Sequence, residues 1–504
     1  MMKLFNYRPM LFVFIMLSFG SIVGISCVSS PFYLFLLFIP VVIIVLSIFY
    51  KKDMLIKHIV SIVMAISLMF VGLSSVLSIG AIIEKPLFTN NQTYMVSATI
   101  ENVSSNKGTY ILLNNVSISS GDKAIKLPYK SSVYFSSFSS EVSRGDKIIF
   151  IAKLRTTASS KNYNFNKTPN EYAKCYAQEE DIIELQSGKS LDYLLRRQIK
   201  DRIFSNMSSE IAGVSYAMLV GDKSSLDPQA KESFKESGIS HLLAVSGLHV
   251  GFLVLILNFL TNKIRMSRWL KLSIISFVLF IYAWICGFSP SIVRAGFMSV
   301  VLLFASACGK QYDGLSALSF AGIILLIINP LNILNIGFLL SFSAVFGIML
   351  LYQPIKLLFS KIFYNWLSSS LAMSMSATIG TLPFTLYFFG TFPVLSIITN
   401  IFAIPIASIA FMSLFVITII TLILPFMGFL MKVPEILFYL LVRLSVVVSS
   451  TGVGNINKQM NAICFIPYTG AMISASNYFL VKTKTKIISI SIFLLILLLL
   501  FIII

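Results

Sequence analysis

Ser240-His241-Leu242-Leu243-Ala244-Val245-Ser246-Gly247-Leu248-His249-Val250-Gly251 opens a run that stays almost wholly apolar to Leu260 and ends at Lys263, Arg265, Arg268 and Lys271. A helix needs about 20 apolar residues to cross the hydrocarbon core of a bilayer. The stretch therefore reads as a membrane span near Leu242–Leu260, and the basic cluster after it marks a cytoplasmic loop. Outward from it the pattern repeats, near Leu270–Gly287, Ile292–Cys308, Leu315–Ile328, Ile333–Tyr352, Trp366–Phe389, Leu395–Pro425, Phe426–Ser449 and Ile487–Ile504. Three more runs lie at the start: Met10–Val28, Phe32–Tyr50 and Ile59–Ile83. The first resembles a signal peptide in its basic start at Lys3 and Arg8. It reads as a span because the second run follows at once and no small-x-small cleavage site stands out. The chain is 57% hydrophobic and 12% charged, against about 25% charged in soluble domains. Ordinary cytosolic enzymes and disordered chains are excluded. The expected fold class is a polytopic α-helical membrane protein of about 11–12 spans.

One segment differs in kind. From Glu84 to about Ser190 the sequence is polar and alternating, at Met95–Ile100, Tyr110–Ile118, Ser132–Phe138 and Ile148–Leu154. Turn signals at Asn106-Lys107-Gly108, Gly121-Asp122 and Arg144-Gly145-Asp146 separate the alternating runs. Four or five short strands suggest a small antiparallel barrel or sandwich, for which an OB-like barrel is one fit. Basic residues at Lys3/Arg8 and Lys51/Lys52/Lys57 place the N-terminus in the cytoplasm and this β domain outside. Leu191–Met207 then reads as a basic amphipathic helix. Asp227, Pro228 and Gly238 mark the N-cap, first residue and stop of a short one, with Ala230 and Phe234 on one face at the outer membrane surface. The expected organisation is three N-terminal spans (1–83), an OB-like external β domain (84–190), amphipathic connecting helices (191–238) and a membrane domain (239–504). Gly380, Pro383, Gly390, Pro393 and Pro405 interrupt helices at membrane depth, which is tolerated only where protein or a water-filled cavity surrounds them.

The formal charge is +19, and its distribution restricts function. From His241 onward the acidic residues are Asp313 and Glu435, against fourteen basic ones. Cation-coupled carriers keep intramembrane carboxylates, and divalent-metal hydrolases build their sites on them. Neither class suits this half. Cys27, Cys175, Cys286, Cys308 and Cys464 form no CxxC pair, and the histidines are His58, His241 and His249. The pattern offers no metal site, no cofactor site and no disulfide framework.

Polar residues inside apolar runs are the candidates for function. Ser246 and His249 stand at i and i+3 on one helix face, the spacing of a conceivable nucleophile–base pair. No nearby carboxylate would orient His249, and a GxSxG elbow is absent. Gly247 and Gly251 have the small-xxx-small spacing of close helix packing. Packing, or polar groups lining a conduit, thus compete with a membrane hydrolase. Arg294 sits one turn inside the next apolar helix, after Ser289 and Pro290. It either snorkels to the interface or faces a pathway, where its fork could hold a phosphate. Asn329-Pro330 and the Ser341/Ser343 pair on the Gly337–Gly347 stretch are weaker pathway candidates beside a packing role. In the β domain, Tyr94, Tyr110, Tyr129, Tyr134, Phe135 and Phe138 lie among lysines. Aromatics with basic residues on a barrel face suit single-stranded nucleic acid, whereas most such aromatics are core. Thirteen basic and ten acidic residues from Glu84 to Lys189 make a weak electrostatic footprint.

Ala217-Met218-Leu219-Val220-Gly221-Asp222-Lys223, followed by Gly238–Gly251 with His241, Ser246, Gly247 and His249, resembles the signature of ComEC-type competence proteins. Ser289–Met298, with Arg294, and Asn329-Pro330 through Gly337–Gly347 look like the next two blocks of that family, in the same order. The β domain is similar to the family's OB-like domain, including the Asn166–Tyr172 segment before its last strand. The resemblance implies an inner-membrane channel that passes single-stranded DNA, without sequence preference, into the cytoplasm during natural transformation. A small-anion carrier and the Ser246/His249 hydrolase are the alternatives. Many family members carry a metallo-β-lactamase-like domain with an HxHxDH motif, and no histidine follows His249 here. The expectation is no catalytic residue and no metal, with a separate nuclease or motor and other DNA-uptake proteins as partners in the bilayer.

Overall fold

A computed structural model of the protein describes residues 9–27, 71–72, 87–89, 91–105, 109–120, 123–127, 130–135, 142, 145–156, 171–186, 188, 190–451, 456–477 and 483–503. The expected span Phe32–Tyr50, most of Ile59–Ile83, the basic residues at Lys3, Arg8, Lys51, Lys52 and Lys57, Tyr129 and Phe138 lie outside the described residues.

The polar segment forms strands β1 (Thr93–Ser105), β2 (Thr109–Ser120), β3 (Lys123–Lys126), β4 (Lys130–Phe135), β5 (Lys147–Thr156), β6 (Glu171–Ala177) and β7 (Ile182–Gln186). Their order is β1-β2-β4-β6-β5, and a β1–β5 pairing closes the ring, with β3 added to β2 and β7 to β5. β4 and β6 run parallel, and the other pairs are antiparallel. This is a five-strand barrel of the OB-like kind. The alternation read from sequence sets its faces: Val96, Ala98, Ile111, Leu113, Val133, Phe135, Ile148, Phe150, Leu154 and Cys175 fill the interior. Phe135 and Phe150 meet there edge to face at 5.8 Å. Tyr94 and Phe135 are therefore core, as most barrel aromatics are.

Helix α1 (Pro9–Cys27) precedes the barrel. After it come α2 (Leu191–Asn206), α3 (Ser209–Val220), α4 (Pro228–Glu236), α5 (Gly247–Lys263), α6 (Arg268–Ile285), α7 (Pro290–Ala307), α8 (Gly314–Ile328), α9 (Ile336–Phe359), α10 (Asn365–Phe389), α11 (Ser396–Ile423), α12 (Lys432–Ser450), α13 (Phe465–Ala475) and α14 (Thr483–Ile503). Among the described residues six helical stretches are long and apolar enough to cross a membrane: α6, α7, α9, α10, α11 and Pro425–Ser450. The protein is a multi-pass membrane protein carrying a small OB-like barrel.

Local chemistry sets the helix ends. The Asp227 carboxylate accepts from the Ala230 N–H at 2.9 Å to start α4. Gly238 ends that region with φ +77°, a conformation that favours glycine. Ala230 and Phe234 on α4 are buried in the main core with α2, α3, α5, α6, α11 and α12. α3 is buried along its whole apolar length, from Ile211 to Val220, unlike the amphipathic helix that follows it. The α9–α10 crossing needs two glycines: a Cβ on Gly347 would meet the Ser376 carbonyl, and one on Gly380 the Ser343 carbonyl.

Gly380, Pro383 and Pro405, expected to interrupt helices, lie inside the continuous α10 and α11, α9 runs on past Tyr352 to Phe359, and two further boundaries move. The span placed at Leu242–Leu260 begins at Gly247, because Ser246 takes an extended backbone as N-cap and residues Ser240–Leu243 form a 3-10 turn. The span placed at Phe426–Ser449 becomes a 3-10 segment, Pro425–Met431, and then α12. Pro425 has no N–H to extend the preceding helix. α13 was not anticipated.

Candidate functional site: a buried arginine where three motifs meet

The first motif is shaped by its own backbone. The Leu248 N–H donates to Ser246 Oγ at 3.2 Å, and the Ser246 N–H donates to His249 Nδ1 at 3.3 Å. This is a reciprocal capping arrangement with histidine at the third helical position. Each side chain thus engages the backbone, and the imidazole does not hydrogen-bond the serine hydroxyl. With Nδ1 accepting, the neutral ring carries its proton on Nε2. Nε2 is buried without a partner. The ring itself lies flat on Phe411 of α11, at 4.4 Å between centroids. His241, on the preceding 3-10 turn, is an electrostatic neighbour of His249.

Arg294 of α7 is the meeting point. Its side chain is nearly closed off from solvent, the residue being 6% exposed. One guanidinium nitrogen, Nη1, donates to the Ser341 carbonyl of α9. The other, Nη2, lies against Gly247 of α5, in the space that a Cβ there would take. The guanidinium carbon stands 6.0 Å from the ring centroid of Phe342. Nε has no partner, and the hydroxyl of Ser289, the α7 N-cap, is likewise buried without one. Pro290 follows as the first residue of α7.

Among the described residues no carboxylate forms an ion pair with this charge. Asp313 caps α8 through the Ser316 N–H at 2.9 Å. Glu435 accepts from the Ser208 N–H at 2.8 Å and pairs with Lys432 at 2.7 Å. Both acidic residues of the membrane half are thus engaged at helix starts. An arginine cannot shed its proton inside a protein, and a buried cation without a counter-charge is costly. The N-terminus of α5 beside Nη2 adds partial positive charge to the same place. Arg294 Nε–H and His249 Nε2–H are unused donors, so the arrangement favours an anion.

Other predicted residues fall elsewhere. Asp222 closes a turn by accepting from the Ser224 N–H at 2.9 Å. Asn329 caps the 3-10 turn begun by Pro330, accepting from the Leu331 N–H at 3.0 Å. Ser343 bonds back to the Leu340 carbonyl within α9 at 3.1 Å. Gly251 differs from Gly247: among the described residues nothing lies within 4 Å of a Cβ added there. Sequence reasoning also passed over Phe342 and Phe411, which look like any lipid-facing phenylalanine, and the half-buried Asn400, whose Oδ1 is buried without a partner. Asn400 alone carried a signal, a carboxamide within a long apolar run.

The family model described as Competence protein matches residues 218–482. ComE operon protein 3 of Bacillus subtilis is 29% identical over 214 residues, 42% of this chain and 26% of that protein. Recombination protein 2 of Haemophilus influenzae is 25% identical over 227 residues, 42% of this chain and 29% of its own length. Competence protein ComA of Neisseria gonorrhoeae is 26% identical over 209 residues, 39% of this chain and 29% of its own. In each case the match spans less than a third of the relative. No solved structure matches.

Proposed function

We propose a function from one premise: the chain belongs to the Competence protein family. The reading is a channel in the bacterial inner membrane that passes single-stranded DNA into the cytoplasm, with its OB-like barrel on the external face. The family match and the name of one relative, Competence protein ComA, support the role in DNA uptake. One structural observation supports the pathway: Arg294 is a buried guanidinium held by a backbone carbonyl, with no carboxylate partner among the described residues. A phosphodiester meets that need, because two of its oxygens match the fork of a guanidinium. The strand would pass with its phosphates exchanging at Arg294, where the N-terminus of α5 at Gly247 adds donors beside the guanidinium. The channel performs no bond-breaking chemistry in this reading. Ser246 and His249 act as helix-capping groups that fix the α5 N-terminus beside Arg294. Other DNA-uptake proteins would supply the motor and the nuclease.

A deletion strain given labelled DNA tests the reading. Entry of label into the cytoplasm should cease while DNA still adheres to the cell, and the restored gene should return it. A carrier for small anions would leave DNA entry unchanged on deletion, and that result would reject the channel.

A further inference from the structure

The outer face of the barrel carries three tyrosines in register. Tyr110 of β2 is the cross-strand partner of Tyr134 of β4, and Tyr134 is the partner of Tyr176 of β6. The first two rings lie 5.0 Å apart, and the next two are stacked at 5.7 Å with 17° between their planes. Tyr134 is 38% exposed and Tyr176 47% exposed. The neighbouring interior positions, Val133, Phe135 and Cys175, are fully buried, so the ladder is not part of the core.

Cations border the ladder on one side. Lys153 is the β5 partner of Tyr176, and Arg155 is the β5 partner of Lys174 on β6. The Arg155 guanidinium stands 5.9 Å from the Tyr176 ring centroid, and its Nε donates to Asn91 Oδ1 at 2.6 Å. Two like charges directly opposed across strands destabilise a sheet. Among the described residues no carboxylate forms an ion pair with Lys153, Arg155 or Lys174. Exposed aromatic faces in a row, edged by unneutralised cations, answer two needs together: a flat apolar surface and a line of negative charge.

We propose that the tyrosines at positions 110, 134 and 176 form a stacking platform for the unpaired bases of single-stranded nucleic acid, with Lys153, Arg155 and Lys174 holding the phosphates beside it. This rests on the reading that DNA is the transported substrate. Every base has a π-face, so the platform binds without sequence preference. A duplex hides its base faces in the stack and offers the ladder only phosphates. The lysines and Arg155 then act on either form, and the tyrosines select the single strand.

The test uses the full chain in nanodiscs of neutral lipid, with a fluorescent oligothymidylate and an abasic strand of the same length as probes. Wild type should bind the thymidylate roughly tenfold or more tighter than the abasic strand, the range expected for base–aromatic stacking. Tyr134→Ala and Tyr176→Ala should lose that margin, and Tyr134→Phe should keep it. Arg155→Gln with Lys174→Gln should weaken both probes alike and flatten the salt dependence. Cys175 reports folding in each variant once the other cysteines are replaced by serine, because this fully buried thiol is shielded from thiol reagents only while the barrel is closed. Equal binding of the two probes by wild type, or an undiminished margin in a folded alanine variant, would overturn the platform. DNA uptake that requires the chain, with no base preference at the barrel, sinks the platform and leaves the channel. A base preference in a chain whose deletion spares uptake does the reverse.

Discussion

Gly247 and Gly251 share one motif and one helix, yet they face different surroundings. Any side chain at Gly247 enters the space of the Arg294 Nη2 nitrogen, whereas among the described residues nothing lies within 4 Å of a Cβ at Gly251. Gly247→Ala should therefore push the guanidinium off the Ser341 carbonyl and lower DNA uptake by about tenfold, the scale of one lost charge-assisted hydrogen bond. Gly251→Ala should stay within about twofold of wild type, in line with substitutions away from packed features. Transformation frequency, read beside protein abundance in the membrane, checks both. Equal damage by the two would restore the helix-packing account of the motif. Arg294 was legible in the sequence because a cation in an apolar run costs free energy. Its partners were not, since the Ser341 carbonyl and the Gly247 backbone are brought to it by tertiary packing alone.

The barrel shows what periodicity carries at the scale of elements. Alternation at Met95–Ile100, Tyr110–Ile118, Ser132–Phe138 and Ile148–Leu154 located four strands, β1, β2, β4 and β5, and their inward faces. β6 showed only through the resemblance to the OB-like family domain, because Glu171–Ala177 is short and mixes charge with aromatics. Tyr176 escaped notice with it, and with Tyr176 the third rung of the ladder. Inside the same strand, burial pushes the Cys175 thiol up to about 12 from an ordinary 9.0. Below about pH 9 the thiol is protonated whether the barrel is folded or open, and it contributes no pH dependence. Between pH 9 and 12 the open chain ionises and the folded barrel does not, so stability falls as pH rises, by about 1.4 kcal/mol per unit for one group. Cys175→Ala should remove that part of the slope. The urea midpoint for protease cleavage of the barrel, followed from pH 8 to pH 11, reads it directly. An identical slope in the variant would mean that other groups dominate.

At the scale of the molecule, composition alone dictated the membrane: an apolar majority with few charges leaves no soluble alternative. The arrangement of helices was less legible. Capping at Ser246 and the missing N–H of Pro425 shifted two boundaries, and windows of hydropathy do not see caps. What the fold adds is convergence, because motifs far apart in the chain supply Gly247, Arg294 and Ser341 to one place. The account stands on that convergence being a passage for phosphate. The most direct measurement is cytoplasmic entry of labelled DNA in a strain whose chromosomal copy carries Arg294→Ala, with Arg294→Lys alongside and both proteins accumulating normally. The account predicts surface-bound DNA at wild-type level, entry abolished by alanine, and partial entry with lysine, whose ammonium keeps the charge and loses the two-pronged contact. Wild-type entry in the alanine strain, or full rescue by lysine as for a snorkelling anchor, would contradict it.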